Sequence, residues 1–199
     1  MKKINLYAGI LALILTIGIS QNVLGQKAKE TFQGTVISFG SGLNTRTQSG
    51  TFTLDINNLT SDAQAQRYLN LLQESGQDRV KEAINDEDLG RFSVGPNVGV
   101  PINVVRESVV DGKRRIFVVF ERWTQFAELR GGYRSLDYPF GVIEIFIDEK
   151  TGKGEGTYIA AARVRWNHDK KTNQYQVEIE NFATYPAQLL GVTSSRKAM

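Results

Sequence analysis

The stretch Val109-Val110-Asp111-Gly112-Lys113-Arg114-Arg115-Ile116-Phe117-Val118-Val119-Phe120 decides the fold. An Asp-Gly pair readily takes φ > 0 at both central positions of a two-residue turn, which predicts a tight hairpin into a strand over Lys113 to Arg122. The centre of that strand, Ile116 to Phe120, is apolar without a break. Successive side chains of a strand point to opposite faces, so this one is expected to be central and covered on both.

Strand patterns continue on either side. Thr31 to Phe39 and Thr51 to Asn57 flank a loop, Gly40 to Gly50, rich in glycine and hydroxyls. In the second of these strands Phe52, Leu54 and Ile56 point one way and Thr51, Thr53 and Asp55 the other, the pattern of a half-buried strand. Val98, Val100, Ile102 and Val104 alternate in a further strand, which Pro101 assigns to an edge or a bulge. Ile143, Ile145 and Ile147 share one face of a strand, opposite Val142, Glu144 and Phe146. A glycine-rich turn around Thr151 to Gly154 then returns the chain. Tyr158, Ala160, Ala162, Val164 and Trp166 face Tyr175, Val177 and Ile179 across a turn at Asn167 to Asn173. In that pairing Arg163 is expected opposite Glu178 on the outer face, as part of a surface ion-pair ladder, and Val164 opposite Val177 on the buried face. The alanines leave room for close packing of a bulky neighbour or a helix, or for a cavity. Gln188 to Val192 makes a last short strand.

Helix signal appears once, over Ser61 to Asn85. Ala65, Tyr68, Leu69 and Leu72 recur at helical spacing, Ser61 and Gln64 form a capping box, and Gly76 breaks the run. A second, shorter helix follows with Val80, Ala83 and Ile84 on one face. With no recurrent helix between strands, the chain is expected to be mainly β with a small α-helical hairpin. Its form is a single-domain curved antiparallel sheet or partly closed β-barrel, with a two-sheet β-sandwich as the alternative.

The N-terminus carries an address. Lys2 and Lys3, the apolar run Leu6 to Ile19 and the exit Val23-Leu24-Gly25 have the order of a secretory signal peptide, and the run falls short of the roughly 20 residues of a membrane span. Cleavage is expected after Gly25. Residues 26–30 then form a short tail, 31–193 one β-rich domain with its helical hairpin at about 61–85, and 194–199 a C-terminal tail, with no transmembrane segment in the mature chain. The expected location is periplasmic or extracellular. The chain has no cysteine, which excludes both a lipidated-Cys anchor and a disulfide scaffold. Of the 24 Lys and Arg residues, 22 remain after cleavage against 21 acids, so the net charge is only +1. Without a basic run to follow a phosphate backbone, nucleic acid is not an expected partner.

Chemical motifs are sparse. His168 is the only histidine and reads as a solvated turn residue, since zinc needs several clustered ligands. No serine sits in a G-x-S-x-G elbow. Asp86 to Gly90 and Asp148 to Gly152 fail as calcium loops because the oxygen ligands are out of register. Gly152-x-Gly154-x-Gly156 precedes a strand, where a dinucleotide fingerprint must open a helix. No cofactor, metal or catalytic residue is therefore nominated. The segment Glu121 to Phe140 stands out by gathering aromatics, arginines and acids around Gly131-Gly132. Aromatic faces beside a guanidinium suit a planar, sugar or anionic ligand, and the same residues could instead seal a barrel end. Trp123, Tyr133, Arg134 and Tyr138 are the candidate ligand-binding residues.

Arg134 to Phe140, Gly152 to Thr157, Glu180-Asn181-Phe182 and Tyr185 to Val192 together resemble an uncharacterised family of exported bacterial proteins, over about Thr31 to Val192. The resemblance implies secretion and a single domain, and carries no activity. Three functions are compatible with these readings: a non-catalytic extracytoplasmic binding module for a small molecule, a structural or interaction component contacting an envelope protein, or a hydrolase using acids such as Glu121, Glu128 or Asp137. A cavity favours the first, and an exposed apolar patch the second.

Overall fold

The structure is a computed structural model and describes residues 12–13, 29–39, 46–123, 134–169, 174–183 and 185–196. Their strands are β1 (Ala12–Leu13), β2 (Glu30–Ser38), β3 (Gln48–Ile56), β4 (Gly90–Val94), β5 (Val100–Pro101), β6 (Val104–Val110), β7 (Lys113–Glu121), β8 (Phe140–Asp148), β9 (Lys153–Asp169), β10 (Gln174–Asn181) and β11 (Ala187–Ser194). They form one antiparallel sheet curled through 255° into a half-barrel, in the order β5-β4-β3-β2-β11-β9-β8-β7-β6 with β10 beside β9. A sandwich of two sheets is not what forms. The Asp111-Gly112 turn has φ of 51° and 73°, the geometry its sequence calls for.

Curling puts one face of most strands into a single interior. Phe32, Phe52, Leu54, Phe92, Ile116, Val118, Phe120, Ile143, Ile145 and Leu189 fill it, and each fully buried large side chain stabilises the fold by about 1.5–3 kcal/mol. A methyl group added at Gly141 would overlap the Phe120 ring, so this glycine makes room for the aromatic filling. The seam between β4 and β6 is closed by the short link from β5: Ile102 N–H donates to Gly90 O and Asn103 N–H to Val119 O.

The outer face is covered on one side by α1 (Asp62–Ser75) and α2 (Gln77–Ile84). Ser61 Oγ accepts from Gln64 N–H while the Gln64 side chain accepts from Ser61 N–H, completing the capping box. Gly76, at φ 79°, separates the helices. Tyr68 and Ile84 pack on Phe140, Val142, Ile159 and Ala162 in a second core. The alanine at 162 is thus the close approach its size allows. Phe117 and Val119 border this second core while Ile116, Val118 and Phe120 face the first, so β7 is covered on both faces as expected. Gln77 ties the hairpin down, accepting from Val164 N–H at 3.1 Å and donating to Asp137 O at 3.0 Å.

Several local expectations shift. Gly90–Val94 is a strand that sequence reading passed over. Val98, expected in a strand, is 83% exposed beside Gly95 and Gly99, both at positive φ. The β9–β10 register places Arg163 opposite Glu180, Arg165 opposite Glu178 and Val164 opposite Ile179, two residues from the expected pairing. A slip of two keeps every side chain on its face, and it arises because β9 continues to Asp169, putting Asn167 and His168 in the strand and not in the turn. Glu30 and Ser194–Arg196, expected in tails, belong to the fold. Glu30 opens β2 and is buried, and Arg196 reaches it.

Candidate functional site: the mouth of the half-barrel

Strand pairing sets Ser38, Gln48, Val94, Glu121, Phe140 and Ala187 at one end of the half-barrel, the mouth, and Glu30, Lys113, Asp148 and Ser194 at the other, the floor. β10 and β11 run end to end along the same side of β9, and Phe182, Tyr185 and Pro186 lie in the connection between them, at the mouth.

Arg122 organises the described part of this end. Its Nε donates to Tyr138 O at 2.6 Å, a terminal nitrogen donates to Ser135 O at 2.8 Å, and its backbone N–H donates to Pro139 O at 2.9 Å. These bonds hold the 3₁₀ turn Arg134–Asp137 against the start of β8. Tyr138 is then driven inward. Its ring meets Phe182 edge-on at 5.2 Å and its hydroxyl donates to Glu180 at 2.5 Å, while Arg165 holds the other Glu180 oxygen. Below them Phe52, Phe92, Phe120 and Tyr158 pack as a contiguous aromatic filling, with Phe92 meeting Tyr158 edge-on at a centroid distance of 4.9 Å. Burial pushes the Tyr158 phenol up to about 12 despite the opposing charge of Arg122, so it remains a hydrogen-bond donor at neutral pH.

The four candidate residues part company here. Trp123 is 78% exposed and Tyr138 only 2%, so the first faces solvent and the second is buried. Arg134 opens the 3₁₀ turn, and Tyr133 lies outside the described residues. Of the acids, Glu121 is paired with Lys81 at 3.0 Å, and Glu128 lies outside the described residues. Among the described residues no group of His, Cys, Asp or Glu is arranged to hold a metal.

Sequence reading missed the exposed aromatics Phe182 and Tyr185 between β10 and β11, and Phe39 just past the end of β2. Phe182 is 49% exposed, Tyr185 57% and Phe39 39%, and Phe39 meets Tyr185 edge-on at 6.5 Å. The available signal was a pair of aromatics beside Pro186 in an otherwise polar connection. An open groove of about 490 Å³ lies near the floor, walled by Lys29, Thr31, Asp55, Asn57, Asp88 and Arg91. Thr31 donates to Asp55 at 2.6 Å within it, and no aromatic side chain walls it. The mouth is the better candidate.

Comparison with protein families, with curated proteins and with solved structures found no match. The fold and site define a class by geometry alone: an antiparallel half-barrel filled by aromatics, braced outside by a helical hairpin, with an aromatic rim.

Proposed function

We propose that this protein is a non-catalytic extracytoplasmic interaction module that engages an envelope partner through the aromatic rim of the half-barrel. The observation that carries the reading is the contrast between a filled interior and the exposure of Phe39, Trp123, Phe182 and Tyr185 at one end. Aromatic side chains contribute large contact area and cluster in protein interfaces. Other exposed apolar residues such as Leu59 and Val109 are scattered singly, as on any surface.

The test is co-sedimentation of the purified protein with isolated envelope membranes and cell-wall material. Trp123→Ala/Tyr185→Ala should unfold at the wild-type temperature, because trimming exposed side chains usually changes stability by under about 0.5 kcal/mol. It should also lose most of the sedimenting fraction. Association of this variant equal to wild type would overturn the proposal.

A further inference from the structure

The β9–β10 ribbon carries a second surface. β9 outruns both neighbours: β8 pairs with it only as far as Ala162, and β11 only as far as Tyr158. Residues 163–169 therefore have β10 as their strand partner on one side, and on the other Val164 N–H is taken by Gln77. The outer edge of β10 remains.

Strand edges in folded proteins are normally blunted by proline, lysine, inward charges, bulges or short length, because an unpaired row of N–H and C=O groups recruits another strand. The other extremities of this sheet follow that rule. β5 is two residues long and contains Pro101, while β6 is met by Thr60 through bonds in both directions. β10 does not follow it. Gln174–Asn181 has no proline, glycine or lysine, and its two carboxylates are held along the ribbon, Glu178 by Asn167 at 3.3 Å and Glu180 by Arg165 and Tyr138. In the full chain this edge already carries an extended segment: β1 pairs with it antiparallel, Ala12 opposite Glu178 and Leu13 opposite Val177.

We infer that the outer edge of β10 is a strand-addition site for an extended segment of another polypeptide, seated antiparallel over Val177 and Glu178 in the place that β1 takes in the full chain. Main-chain bonds supply affinity in this mode, and alternate side chains supply selectivity. The fitting segment alternates, with apolar residues beside Val177 and Ile179, which share a face with Val164 and Trp166, and polar or basic residues beside Gln176, Glu178 and Glu180. Removal of residues 1–25, as the N-terminal sequence leads one to expect, frees the edge for that partner. The inference concerns a surface distinct from the aromatic rim and stands or falls separately.

Both cores draw their described residues from 32–192, so a chain beginning at Gln26 keeps all of them. Hydrogen exchange read by mass spectrometry on the full chain and on residues 26–199 provides the test. The probe is the peptide Lys-Thr-Val-Thr-Val-Thr-Val-Lys, and the control is the same peptide with its central valine replaced by proline. The expected result is probe-dependent slowing of exchange confined to 174–181 in the 26–199 chain, smaller in the full chain where β1 competes, and absent with the control. Gln176→Lys places a gatekeeper charge on the edge without touching either core and should weaken binding at least tenfold, while Trp123→Ala/Tyr185→Ala should bind the probe as wild type does. No slowing at 174–181 with probe at millimolar concentration, or slowing centred elsewhere, overturns the inference. So does a 26–199 chain that dimerises by light scattering with 174–181 already protected, since a second copy would then be the occupant.

Discussion

Replacing Arg114 by methionine tests the most buried electrostatic feature of the molecule. Arg114 is 4% exposed, lies over the Phe32 ring, and donates to both oxygens of Glu30 and to Glu107 at 2.6 and 3.0 Å. Arg196 adds contacts of 3.2 Å to Glu30 and 3.5 Å to Glu107, and Ser194 donates to Glu30. Two cations thus face two carboxylates across the floor, joining β2, β6, β7 and the chain that leaves β11. Removing one partner of a buried pair costs about 3–5 kcal/mol because the other charge is stranded. Here Glu30 would keep Ser194 and the half-exposed Arg196, so the lower end, about 3 kcal/mol, is expected. With a urea dependence of about 2 kcal/mol per molar, the unfolding midpoint should fall by about 1.5 M. Arg114→Met/Glu30→Gln removes the stranded charge as well and should be more stable, by at least about 1 kcal/mol, than the sum of the single changes predicts. Acid supplies an independent check. Burial pushes the Glu30 carboxyl up, but hydrogen bonds from Arg114 and Ser194 and the charges of Arg114 and Arg196 outweigh it, leaving its pKa below the ordinary 4.5. A carboxyl whose folded pKa is depressed contributes stability that is present above its unfolded value and is lost as pH falls through the folded one. Glu30→Gln should therefore flatten the loss of stability below pH 4.5. A midpoint change equivalent to less than about 1 kcal/mol for Arg114→Met, with strict additivity in the double variant, would refute this account of the floor.

Three further outcomes follow from the packing. Trp123→Ala should leave thermal stability within about 0.5 kcal/mol of wild type, whereas Tyr138→Ala should lose about 3–5 kcal/mol, and equal effects would contradict their opposite burial. Gly141→Ala should destabilise by up to about 3 kcal/mol through overlap with Phe120, and Phe120→Leu in the same chain should restore part of it, both read by urea unfolding. Alkaline titration at 295 nm should show a phenol ionising near 12 that disappears in Tyr158→Phe. Because its folded pKa is raised, the stability linked to it is intact below pH 10 and is lost as pH rises towards 12, a loss that the Phe variant should escape.

What could be read from the sequence was decided by neighbours a few residues apart. Period-two alternation in β3 and β8, the positive φ demanded at Asp111-Gly112, and the reciprocal bonds of Ser61 and Gln64 depend on local backbone geometry, so pattern alone determined antiparallel strands with a helical hairpin, while the choice of one curled sheet over a two-sheet sandwich was made by closure. The β9–β10 faces were legible for the same reason, while their register was not, because a shift of two residues leaves every face unchanged. Contacts decided by closure left no local trace. Glu30 and Arg114 are 84 residues apart and look like surface charges in sequence, and only the curling of the sheet buries them together. Gln77 and Val164, 87 residues apart, meet where β8 ends and a β9 N–H needs an acceptor. The candidate site divides on the same ground: Trp123 and Tyr138 are both aromatics of one connection, and only the Arg122 bonds that pull the 3₁₀ turn inward bury the second and leave the first in solvent.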